Sequence, residues 1–88
     1  MGVKSQYRQL EKKFHSWKYR MRQTSLENSF LPIEGKEMGL DWMVIFDGTH
    51  FRIVVEGYLV KSYSDLSLRK FYRAVESACN LYLDTMAQ

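Results

Sequence analysis

Two acidic-glycine pairs, Asp47-Gly48 and Glu56-Gly57, cut residues 40–63 into three runs rich in aromatic and β-branched side chains. Asp-Gly between apolar runs is a strong signal for a two-residue hairpin, because both turn positions need positive φ; Glu-Gly is a weaker form of the same signal. Taking both pairs as two-residue turns sets a register. Phe46 faces Thr49, Val44 faces Phe51 and Trp42 faces Ile53; across the second turn Val55 faces Tyr58 and Ile53 faces Val60. One sheet face then collects Trp42, Val44, Phe46, Phe51, Ile53, Val55, Tyr58 and Val60. The other collects Met43, Ile45, His50, Arg52, Val54, Glu56, Leu59, Lys61 and Tyr63. An apolar face and a mixed face are what a half-covered antiparallel sheet requires, so a three-stranded meander is expected over 40–63.

The cover must come from the flanking segments. Val3, Tyr7, Leu10, Phe14, Trp17 and Met21 recur at steps of 4, 3, 4, 3, 4, one stripe of an α-helix over 3–23. Leu68, Tyr72, Val75, Cys79, Tyr82 and Met86 repeat that spacing, widened by Phe71, Ala78 and Leu83, which predicts a second amphipathic helix over 65–86. Residues 24–39, with Pro32, Gly35 and Gly39, read as a connection, one long enough to suggest either a missed short element or a functional role. The expected fold is α+β: a two-layer α-β-β-β-α domain spanning 1–88.

Composition narrows the function. A single cysteine and two histidines exclude a disulfide framework and a structural zinc site. The longest apolar run, residues 42–46, is far short of the roughly 20 residues a membrane span needs. The first residues are polar and basic, without the apolar core of a secretory signal. A soluble, cytoplasmic protein without membrane, metal or cofactor is expected. Catalysis is not: Cys79 falls on the core face of its helix, and Asp47 and His50 flank a tight turn where Asp has a conformational task.

Charge is unevenly distributed. Residues 1–25 carry seven basic side chains against Glu11 alone, a balance of +6, while residues 26–88 balance at −3. Opposite the first apolar stripe, Arg8, Lys12, His15, Tyr19 and Arg22 form an outward line of cations holding one aromatic ring. Such a line can follow a phosphate backbone, with Tyr19 stacking. The last helix opens with Arg69, Lys70 and Arg73, cations that oppose the helix dipole unless an anion is near.

Helix, three antiparallel strands and helix is also the order of the double-stranded RNA-binding domain, and residues 44–83 are similar to it at a few points. Gly48-Thr49-His50 resembles that family's Gly-Pro-x-His loop, and residues 51–57 resemble its second strand and following turn. Arg69-Lys70-x-x-Arg73 has the spacing of its Lys-Lys-x-Ala-Lys, with Tyr72 in place of the alanine and Thr49 in place of the proline. The resemblance implies RNA contact by the first helix, the first strand loop (His50) and the start of the last helix. The leading expectation is therefore a non-enzymatic nucleic-acid-binding module, structured or double-stranded RNA first. The alternative is a protein-interaction module, an adaptor or small inhibitor. It would use the basic helix against an acidic protein surface, or Met43, Ile45, Val54, Leu59 and Tyr63 of the mixed sheet face, a homodimer included.

Overall fold

Side chains alternate along a strand, so the apolar runs of residues 40–63 need a cover on one side only. The computed structural model describes residues 2–14, 30 and 32–87. Helix α1 (Val3–Phe14) is followed by strands β1 (Ile33–Glu37), β2 (Leu40–Phe46), β3 (Phe51–Val55) and β4 (Tyr58–Tyr63), then helix α2 (Leu68–Met86). The strands form one antiparallel sheet in sequence order. The three-stranded expectation is corrected to four. Residues 15–23 of the expected first helix, with Trp17 and Met21, lie outside the described residues.

The missed strand, β1, lies inside the segment read as a connection. Its sequence, Ile-Glu-Gly-Lys-Glu, has one apolar residue and little intrinsic strand preference. It is held by its ladder to β2, in which Ile33 pairs with Val44 and Gly35 with Trp42. Met38 and Gly39 close that hairpin with φ of 53° and 74°, a two-residue turn of the primed type. Gly35 reads as loop punctuation in the sequence and has another task here. A Cβ at this position would lie 2.6 Å from Cζ2 of Trp42, so the absent side chain makes room for the indole.

The two expected turns came out differently. Glu56-Gly57 is a two-residue turn with φ of 50° and 86°, and Val55 pairs with Tyr58 as expected. Positive φ at Glu56 costs roughly 1–2 kcal/mol. Offsetting this, its N–H donates to the Asp41 carbonyl at 2.9 Å and its carboxylate accepts the Asp41 N–H at 2.7 Å. Around Asp47-Gly48, by contrast, the loop is four residues long and Phe46 pairs with Phe51. The Asp47 carboxylate accounts for it: Oδ1 accepts the N–H groups of Thr49 and His50, each at 2.9 Å, and Oδ2 accepts from Arg52 at 2.7 Å. The β2–β3 register therefore slides by two residues, with Trp42 opposite Val55 and Val44 opposite Ile53. A two-residue slide preserves facing, and the expected inward residues of β2 and β3 are all buried.

Between β3 and β4 the register shifts by one. Val54 pairs with Leu59 and Ile53 with Lys61, leaving Val60 as the extra residue of a bulge. A one-residue shift reverses facing, so Lys61 and Tyr63 turn towards the helices. Their expected place on the outer face is corrected.

Both helices cover that same inner face. Tyr7 stacks on Phe46 with ring centroids 5.1 Å apart, and Phe14 meets Trp42 edge-on at 6.1 Å, so α1 runs antiparallel to β2. Phe14 also stacks on Phe71 at 4.5 Å, which joins the helices. α2 crosses obliquely and touches all four strands. Its buried residues are Phe71, Ala74, Val75, Ala78 and Cys79; the two alanines let it approach the sheet, and Tyr72 and Met86, expected in the stripe, stay exposed. Gln6 ties the chain together by accepting the Leu66 N–H at 3.0 Å.

Replacing Gly35 by Ala forces the buried indole of Trp42 to move. A loss of about 1–3 kcal/mol in a denaturant titration is expected, together with a shift of the tryptophan emission. Unchanged stability and emission would show that the close approach is not tight.

Candidate anion-binding groove

A helix start carries unsatisfied N–H groups and a partial positive charge, which acidic side chains ordinarily offset. α2 has none in its first turn. Ser67, at the N-cap, is extended and makes no side-chain capping bond. Arg69 and Lys70 stand there instead, with Arg73 about one turn on, all exposed. Asp65 and Glu76 are the nearest acids in sequence, yet among the described residues neither forms an ion pair with these cations.

The bulge at Val60 adds a fourth cation. Lys61, now on the helix side of β4, donates to Ser77 Oγ at 3.0 Å and lies 5.7 Å from the Tyr63 ring centroid. Lys61, Tyr63, Asp65, Lys70, Arg73 and Ser77 line a groove of about 390 Å³ between β4 and α2. Arg69, Lys70 and Arg73 enclose a smaller crevice of about 300 Å³ beside it. Three lysine or arginine side chains against Asp65, at a helix N-terminus, give this groove a positive field. It can hold an anion.

The other expected site residues are dispersed. Arg8 donates to Glu11 at 2.9 Å, and its guanidinium lies 5.3 Å and 5.1 Å from the ring centroids of Tyr7 and Phe30. Glu11 is buried, and burial, reinforced by this carboxylate, pushes the Tyr7 phenol well above its usual range. Arg8 is thus engaged with α1's own neutralised cluster. Lys12 is exposed on α1; His15, Tyr19 and Arg22 lie outside the described residues. Phe14 meets Tyr72 on one flank of α2 while Lys61 meets Ser77 on the other, so the groove and α1 stand on opposite flanks of that helix. His50 is exposed in the loop of residues 47–50, with Nδ1 3.0 Å from Thr49 Oγ1. Phe51 pairs with Tyr63, which puts this loop and the approach to α2 at the same end of the sheet.

On the outer face Glu34, Met43, Val54 and Leu59 form one row across the strands, with Ile45, Arg52 and Ser62 in another. Tyr63, expected with them, is on the groove side. A hollow of about 600 Å³ on this face is lined by Glu34, Lys36 and Asp41 among others, the last two an exposed ion pair at 3.2 Å, so it offers an anion no net positive charge. Among the described residues no group of three His, Cys, Asp or Glu side chains could hold a metal ion, and no helix is long and apolar enough to cross a membrane. Burial raises the Cys79 thiol's affinity for its proton. No family model, curated protein or solved structure matches this chain.

Lys61 is the groove residue that sequence reasoning placed on the wrong side. The one hint was Tyr63, a large ring assigned to an outer face where it would gain little from folding.

The loop that carries His50 depends on the ionised Asp47. The N–H of His50, the Arg52 guanidinium and the Thr49 N–H hold that carboxyl well below the usual carboxylate range. A depressed folded value means a contribution fully present above the unfolded value of about 4 and lost as pH falls below it. The melting-temperature deficit of Asp47→Asn is therefore expected to be constant near neutrality and to shrink below about pH 4. A deficit independent of pH would contradict this.

Proposed function

We propose that this chain is a non-enzymatic binding module whose groove between β4 and α2 takes the phosphate backbone of a nucleic acid, structured or double-stranded RNA foremost. One observation carries the reading: Lys61, Arg69, Lys70 and Arg73 gather along the first half of α2 without forming an ion pair among the described residues. Such an arrangement costs stability in the free protein, because Arg69 and Lys70, the two cations in the first turn, oppose the dipole by roughly 0.3–1 kcal/mol each. A phosphate placed there reverses the sign of that term. The same Arg69-Lys70-x-x-Arg73 spacing carries the resemblance to the double-stranded RNA-binding domain. His50, at the same end of the sheet, is in position to touch a groove edge, and Lys12 and the basic residues of 1–25 add long-range attraction. Contacts of this type read backbone and shape and leave base sequence unread.

A second reading, an adaptor or inhibitor, draws on the row Met43, Val54 and Leu59. No described helix lies on that face, and Leu59 is 62% exposed.

Fluorescence polarisation against duplex RNA, duplex DNA and single strands at several salt concentrations tests the first reading. With two to four phosphate contacts, the slope of log K against log salt is expected at about −2 to −4 for a duplex. Arg69→Ala/Lys70→Ala/Arg73→Ala should weaken binding at low salt at least about tenfold and flatten the slope by roughly two to three. Binding that ignores salt, or that the triple variant leaves unchanged, would remove the basis for this reading.

A further inference from the structure

We infer that the outer face of the sheet docks a cationic amphipathic helix of a partner protein. The inference rests on the adaptor reading and supplies the partner's chemistry. It is independent of the nucleic-acid reading, whose groove lies on the helical side of the sheet. Both described helices cover the inner face, and on the outer one Met43 and Val54 stand half-buried in a row that ends at the exposed Leu59. Ile45, also half-buried, adds to this patch from the next row. β2 and β3 are inner strands, so their main-chain groups are taken up by ladders on both sides. Such a face offers side chains only. It suits the apolar stripe of a helix, as the inner face already does, and gives an added strand nothing to pair with.

The charges around the patch select the occupant. Lys36 is paired with Asp41 at 3.2 Å and Arg52 with Asp47 at 2.7 Å, so both cations of this face are already neutralised. Glu34 and Glu56 are exposed, and among the described residues neither forms an ion pair. Glu34 stands opposite Met43 at the β1 end of the apolar row. Glu56 accepts the Asp41 N–H at 2.7 Å, which sets its carboxylate at the margin formed by the β3–β4 turn. Two unpaired carboxylates thus flank the patch on two sides. The chain as a whole carries +3, so this face runs against the mean charge of the molecule. A nucleic acid, an anionic lipid surface or an acidic protein is repelled here, and an uncharged helix leaves both carboxylates without a partner. A helix whose apolar stripe is bordered by lysine or arginine covers Met43, Val54 and Leu59 and meets Glu34 and Glu56 at the rim, where charges stay solvated and set orientation.

Titration of the labelled full chain, without nucleic acid, with a synthetic amphipathic helix of leucine and lysine tests this. Leucine–glutamine and leucine–glutamate helices of the same pattern are the comparisons. At low salt the lysine helix is expected to shift the resonances of Met43, Val54, Leu59 and Glu34, to do so less as salt is raised, and to bind at least about tenfold more tightly than the glutamate helix. Glu34→Lys combined with Glu56→Gln should weaken that binding about tenfold; the glutamine keeps an acceptor for the Asp41 N–H. Leu59→Ser should weaken it about fivefold or more, with far-ultraviolet circular dichroism unchanged because the side chain is exposed. A glutamine or glutamate helix that binds the same row as tightly would overturn the cationic partner and leave the adaptor reading standing. No shift on this face with any of the three helices would overturn both.

Discussion

The rings of Tyr7, Phe14 and Phe71, packed on Phe46 and Trp42, hold both helices to one face of the sheet. Full burial of a large apolar side chain stabilises by roughly 1.5–3 kcal/mol. In so short a chain a few such rings outweigh any surface term. Because the helices share a face, α2 must reach across all four strands, and its first turn, which holds no acid, borders the groove beside β4. The groove is a by-product of how the core is covered.

Two local irregularities then decide what that groove contains. At residues 47–50 a carboxylate takes over hydrogen bonds that a two-residue turn would have made between main-chain groups, and the register moves by an even number. Nothing changes face. At Val60 a single extra residue moves the register by an odd number, and Lys61 passes from the outer face to the groove. The same bulge carries Tyr63 from the exposed row into contact with the core cluster. One inserted residue thus strengthens the positive site and trims the apolar outer row.

Much of this was legible in the sequence. Tyr7 and Leu10 of the first stripe, Phe71, Val75, Ala78 and Cys79 of the second, and the inward set of β2 and β3 follow from periodicities that burial enforces, and the strand set survives a misjudged loop length because even slides preserve facing. β1 was not legible. Its Ile-Glu-Gly-Lys-Glu has no alternation to read, and Gly35 is there for the Trp42 ring, a partner distant in space from any local signal. The Val60 bulge carries no glycine to mark it. The basic start of α2 was legible as a charge cluster at a cap. The engagement of Arg8 was not, because helical spacing places Glu11 within its reach without saying that Glu11 is buried.

The central claim is that the positive groove at the start of α2 is the docking surface for a polyanion. Amide and side-chain chemical shifts of the labelled protein, followed while a short RNA duplex is added at low salt, address it most directly. Perturbations centred on Lys61, Arg69, Lys70 and Arg73 and fading when salt is raised are the result this predicts. Perturbations confined to Met43, Val54 and Leu59, or none at all, would contradict it.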